Sequence, residues 1–230
     1  IANAARRFDK NIHLVSSGPL GENEGSCFRP AASLSFAQAL LLANSHESVE
    51  QACAIISAVL DSQETNPSSP LIGNFKWLYG DKEICDLNAI QFVLRGLLPI
   101  LVEHESQLPE EIIARCRFSL ELALEEEIRL DVSYLYTNIH LMSVFSLLVG
   151  GQWLGNARFK EVGERKWNYF IETTMSTGAP HEYNSANYGA VDLSILASLK
   201  NLILDRVVRF QAELLYERIW LHIGLHLHFP

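Results

Sequence analysis

Asn138–Gly151 reads NIHLMSVFSLLVGG, and Gly155–Ser176 reads GNARFKEVGERKWNYFIETTMS. The first stretch is apolar almost throughout, with Leu141, Val144, Phe145 and Leu148 at helical spacing, which predicts a core-facing stripe. The second is longer and more charged, as suits a partner with one solvated face. Between them, Gly150-Gly151 predicts a helix end through positive φ. Together they make one αα-hairpin.

The same alternation extends in both directions. Apolar periodicity predicts helices near 2–10, 33–45, 47–62, 87–105, 109–128, 138–151, 155–176, 187–201 and 203–221, with no sustained period-2 strand pattern. Ser45-His46-Glu47-Ser48 and Pro109-Glu110-Glu111 place acid in a first turn, where it complements the helix dipole. Apolar, inner-type helices are predicted to begin near Ser35, Asn88, Asn138 and Tyr188, roughly every 50 residues, each followed by a more charged partner. In Glu110–Arg129, the side chains of Glu121, Glu125, Glu126 and Arg129 are expected on the solvated face. A hairpin repeated in this way buries its apolar face only against neighbouring hairpins. The predicted fold is therefore all-α, with repeated antiparallel helix hairpins forming an incomplete α/α toroid, as a single domain over residues 1–230.

Composition narrows the function classes. The 230 residues carry a net charge of −9, and no Lys/Arg stripe of the kind that binds nucleic acid is visible. No apolar run reaches the roughly 18 residues that a membrane span needs. Cys27, Cys53, Cys85 and Cys116 are far apart and form no CxxC pair; Cys53 and Cys116 are expected as free thiols within helices. HExxH and paired-carboxylate helix motifs are absent, so no metal and no cofactor is expected. His222 and His226, four apart beside His228, lack a companion carboxylate. The start at Ile1 and the apolar, His-rich close at Leu221–Pro230 suggest a fragment of a longer chain.

Three loops exceed what a connector needs: Ser16–Pro30, Glu64–Asp86 and Thr174–Asn187. The loops entering the inner helices are expected to gather at one rim. There lie Asn138 and His140 in YTNIHLM, Glu182, Tyr183, Asn184 and Tyr188 in HEYNSANY, and Lys76, Trp77 and Tyr79 in NFKWLYG. Asn138 alternatively serves as an N-cap, His140 as a hydrogen-bonded core histidine, Glu182 as a cap or ion-pair partner, and Trp77 as a lid over core. GxSxG, P-loop and dinucleotide fingerprints are missing, which leaves acid/base chemistry by Tyr and His beside an amide. Uronic acid β-elimination needs that set. One group holds the sugar carboxylate, a base takes the neighbouring proton, and a phenol protonates the leaving oxygen.

These residues resemble those of the heparinase II/III-like and alginate-lyase-like polysaccharide lyases. Asn138 with His140 is similar to the Asn-His element that opens an inner helix in that group. Thr177–Tyr188, TGAPHEYNSANY, is similar to its DGxxxExSxxYH segment, with Thr177 in place of Asp and Gly189 in place of the final His. The resemblance implies a toroid domain that works on a polysaccharide or oligosaccharide, with a β-rich domain following it, in a secreted or periplasmic protein. It implies that Asn138 neutralises the carboxylate, Tyr188 acts as base or acid, and His140 and Glu182 orient. Lys76, Trp77, Tyr79, Tyr183 and Asn184 are the expected substrate contacts. Two other readings stay open: a glycoside hydrolase or cyclase on the same scaffold, and a non-catalytic helical-repeat module. A hydrolase requires a partner carboxylate for Glu182, with Asp81 and Asp86 as candidates.

Overall fold

Helix α2 (Pro30–Ala43) starts on a proline, whose missing N–H costs nothing in a first turn, and stops where Asn44 turns left-handed at φ 52°. The next residue, Ser45, already caps α3 (His46–Leu60): its Oγ accepts from the Ser48 N–H, and the Ser48 Oγ accepts from the Ser45 N–H. Two residues thus turn the chain and close a hairpin. The computed structural model describes residues 2–16, 27–182 and 185–226. They fall into two compact units, Ile1–Glu126 and Glu127–Pro230.

In the first unit, α1 (Ala2–Arg7) leads into two short antiparallel strands, β1 (Phe8–Asp9) and β2 (Leu14–Val15). The helix expected over 2–10 therefore ends early. Asp9 accepts from the Asn11 and Ile12 N–H groups and starts a turn that passes through His13 at φ 55°. Val15 then donates its N–H to Ser33 Oγ at 2.9 Å. Helix α4 (Ala89–His104) packs on α2 so closely that a Cβ on Gly96 would lie 2.8 Å from the Leu34 Cβ.

Helix α5 (Glu110–Leu130) carries a correction. Glu126, expected on the solvated face, is only 3% exposed, because the loop that follows α3 folds over it. Asn74 Nδ2 donates to Glu126 Oε1 at 2.7 Å, and Gln63 Nε2 donates to the carbonyls of Gly73 and Ser119. Gly73 sits at φ 91° with no room for a side chain: a Cβ would lie 2.4 Å from the Leu122 carbonyl oxygen.

The second unit is built on α6 (Thr137–Phe145), whose nine residues are all buried. A helix surrounded on every side needs no polar stripe. A π-helical turn over Ser146–Gly150 and the short α7 (Gly151–Leu154) continue it. Gly150 and Gly151 do not end the helix as expected; their φ values are −65° and −62°. Gly151 is small because α8 (Ala157–Thr177) crosses there, and a Cβ would meet the Phe159 Cβ at 2.9 Å. The stop comes at Gly155, at φ 68°. Asn156 caps α8, which buries Phe159, Trp167 and Phe170. Each such ring removed from water contributes about 1.5–3 kcal/mol.

Helix α9 (Ala186–Leu202) is capped by Ser185 and packs against α6 and against α10 (Arg206–His226). Arg218 on α10 donates from Nε to the Gly178 carbonyl at 2.8 Å, tying the end of α8 to the last helix. Among the described residues, no helix is long and apolar enough to cross a membrane.

Candidate functional site

The clearest concentration of unsatisfied polar chemistry lies around the first turn of α6. Tyr136, at the N-cap position, offers no side-chain cap. The orphan N–H of Asn138 is met from 44 residues away by Glu182, whose Oε2 accepts it at 2.9 Å. A carboxylate also suits the positive end of the helix dipole. Asn138 is thus the second helical residue, and the N-cap role considered for it falls away. Its side chain is 3% exposed, and its Oδ1 is buried without a hydrogen-bond partner.

His140 lies two residues further along, also 3% exposed. Its Nδ1 is 2.9 Å from the Val132 carbonyl, an acceptor only, so Nδ1 carries the proton. That leaves Nε2 with a lone pair, buried and unpartnered. The Phe170 ring lies 5.8 Å away, centroid to centroid. Burial holds the imidazole below its ordinary range, and the bond to Val132 opposes that shift. The neutral ring is the form a base requires.

Nothing in the sequence analysis singled out Asp192. It stands on α9, 2% exposed, with Oδ1 unpartnered. Burial and then the nearby Glu182 push its carboxyl up to about 7. A single carboxylate inside the apolar run AVDLSILASL was the available signal. Thr137 Oγ1, Ser143 Oγ and Ser146 Oγ are likewise buried without partners. Native interiors hold few such groups, and a concentration of them marks a place that ordered water or ligand satisfies.

Aromatic rings flank this turn. Tyr134, two residues before Tyr136, meets Tyr169 edge-on at 5.0 Å and His181 at 5.3 Å. Tyr169 is 52% exposed, and Tyr188 in the first turn of α9 is 39% exposed. The Tyr188 N–H is held by the cap Ser185 Oγ at 3.3 Å. Tyr183 and Asn184 lie outside the described residues.

Lys76, Trp77 and Tyr79 belong to the first unit. The Lys76 N–H donates to the Ser62 carbonyl, and the Tyr79 N–H to that of Phe28. The Trp77 ring is engaged on two sides, edge-on to Phe92 at 5.3 Å and beneath the Arg29 guanidinium at 5.6 Å. It is half-buried rather than an open platform. Asp81, a candidate partner for Glu182, instead accepts from the Leu78 N–H at 2.9 Å, and Asp86 from that of Asn88. Both lie in the first unit; in the second, Glu182 is the charge that adds to burial in raising the Asp192 carboxyl. Cys53, Cys85 and Cys116 are free thiols; Cys116 is buried, and burial raises its thiol to about 12. Among the described residues, no three of His, Cys, Asp and Glu gather to hold a metal ion.

Fold and site together define an all-α protein of helical hairpins with buried, unpartnered polar groups on α6 and α9. The chain belongs to the family described as a domain of unknown function, DUF8769, which matches residues 4–229. No curated protein and no solved structure matches it.

Proposed function

We propose that the chain is an α/α-toroid-type domain of a carbohydrate-active enzyme, a polysaccharide lyase that cleaves uronic-acid-containing glycans by β-elimination. One observation carries the reading: the Glu182 carboxylate bonds the Asn138 N–H at 2.9 Å. This contact brings the start of α6 and the segment before α9, the two elements of the lyase resemblance, to one place. The exposed ring of Tyr169, with Tyr134 and His181 packed in series beside it, offers the aromatic surface on which sugars stack, a role that the engaged Trp77 is poorly placed to fill.

In this reading Asn138 hydrogen-bonds the sugar carboxylate, which acidifies the adjacent C–H. Tyr188 removes that proton, or returns one to the leaving oxygen; His140 and Glu182 orient. The C–O bond to the next sugar breaks as the ring C=C forms, the departing oxygen gains a proton, and no water is consumed.

The pairing of Glu182 with Asp192 favours a second reading, a glycoside hydrolase. A carboxyl raised to about 7 beside another is the arrangement of a general acid and its partner. One assay separates the readings. The full chain is incubated with alginate-type and heparan-type polymers while ultraviolet absorbance of the unsaturated uronate and new reducing ends are both followed. A lyase produces both, and Tyr188→Phe lowers the rate by about 100-fold or more. Reducing ends without absorbance identify the hydrolase. Binding without either product overturns both and leaves a glycan-binding module.

A further inference from the structure

We infer that α10 is a self-association surface, on which a second copy of this chain packs its own α10 antiparallel across a two-fold axis near Ala212. The inference does not rest on the lyase reading.

The sequence of α10 gives the helix two apolar faces. Val208, Ala212, Leu215 and Ile219 recur at helical spacing and are buried, which fixes the side turned to the core. Val207, Phe210, Leu214, Leu221 and Leu225 form a second row, and each of them is more than half exposed. At about 100° per residue these five side chains fall within about 60° of arc, well away from the buried face. At about 1.5 Å per residue the row is about 27 Å long. Single exposed apolar residues are ordinary, but an aligned row of them marks a surface that something covers.

The charges on α10 say what covers it. A two-fold pairing sets residue i of one copy against residue j of the other, and j against i. Matching residues must therefore lie at equal distances either side of one centre. About Ala212, Phe210 is matched by Leu214, Arg206 by Glu217, and Leu204, exposed just before the helix, by Leu221. Arg206 and Glu217 also share one flank of the apolar row, within about 20° of each other. An antiparallel copy places that flank against its own counterpart, so Arg206 meets Glu217 of the second copy at both ends of the contact.

Other charges of the helix are committed within the chain. Arg209 donates to the Ile203 carbonyl, Glu213 pairs with Lys200, and Arg218 holds the Gly178 carbonyl. His222 falls on the opposite flank of the row. Among the described residues, Arg206 and Glu217 have no ion-pair partner. A single helix contact is a small interface, so the pair forms and dissociates in the micromolar range.

Sedimentation velocity of the full chain over that range, at low salt where exposed ion pairs are least screened, provides the test. The wild type is expected to pass from monomer to dimer as concentration rises. Phe210→Glu and Leu214→Glu, both at exposed positions, are each expected to weaken association about 100-fold or more with helix content unchanged. Arg206→Glu alone and Glu217→Arg alone set like charges together, and each weakens it about tenfold. An equal mixture of these two single variants restores opposite charges at both ends and recovers the wild-type affinity to within about threefold. One chain carrying both changes recovers it equally.

A wild type that stays monomeric throughout overturns the inference, and so does a dimer indifferent to Phe210→Glu and Leu214→Glu. A mixture that associates no better than its two components overturns the antiparallel two-fold. Turnover on polymers is read by a separate assay, so failure of the dimer and failure of the lyase reading are told apart.

Discussion

Each unit clasps a loop onto a helix, and the two clasps are made of different chemistry. In the first, Asn74 and Gln63 spend their amide donors on Leu71, Glu126, Gly73 and Ser119, around a glycine that no other residue can replace. In the second, a carboxylate meets a backbone N–H, and on α9 a buried carboxyl, Asp192, keeps an unpartnered oxygen. The atoms left over in the first clasp are amide oxygens, Gln63 Oε1 and Asn74 Oδ1, beside the Ser119 hydroxyl; those in the second include a titratable carboxyl and an imidazole nitrogen. The first clasp is held by neutral amide donors, one of them on the buried Glu126 carboxylate, whereas the second is held by the Glu182 carboxylate itself.

Four measurements strain that contrast. The largest effect belongs to the first clasp. Gly73→Val forces a side chain against the Leu122 carbonyl at positive φ, and urea denaturation is expected to show a loss of about 3–5 kcal/mol. A loss below about 1 kcal/mol shows that the loop gives way and is no rigid clasp.

Asp192→Asn comes next and has the opposite sign. The folded carboxyl titrates near 7 against an ordinary 3.8, so the folded state holds the extra proton between those values. The resulting stabilisation is complete below about pH 4 and is lost as pH rises through about 7. Asp192→Asn removes the cost of burying the charge, so it is expected to be the more stable protein at about pH 8, by up to about 4 kcal/mol, with little difference near pH 4. Equal denaturation midpoints at the higher pH place the carboxyl in a solvated setting.

Asn74→Ala leaves the buried Glu126 oxygen without its donor and is expected to cost about 2 kcal/mol, read from the same denaturation curves. The smallest effect belongs to His140. Its folded value lies below the ordinary one, so the stability it contributes is present above the usual histidine range and is lost as pH falls. His140→Gln is expected to flatten the decline in melting temperature between about pH 7 and pH 5 by the equivalent of about 1 kcal/mol. An unchanged slope shows that the ring is free to protonate in the folded state.

Much of the fold was legible in the sequence. The expected helices at 33–45, 47–62, 87–105, 109–128, 155–176, 187–201 and 203–221 agree closely with α2, α3, α4, α5, α8, α9 and α10. Periodicity and caps are local physics, and Ser45, Asn156 and Ser185 act within a few residues of themselves. The errors fall where a distant partner overrides the local preference. Gly150-Gly151 resembles a stop but is a crossing point for α8, and Glu126 resembles a surface acid but is covered by Asn74. At the candidate site the order was the same: Asn138, His140, Glu182 and Tyr188 stood out by residue type, and Asp192 did not.

The sequence by itself determined the hairpins, because apolar spacing and capping residues act along the chain over one or two turns. Tertiary structure alone decided that Glu182 caps a helix 44 residues away and that Asp192 is buried on α9. The strength of a carboxyl, unlike the start of a helix, is set by the water and charge around it, and those are known only once distant segments have packed.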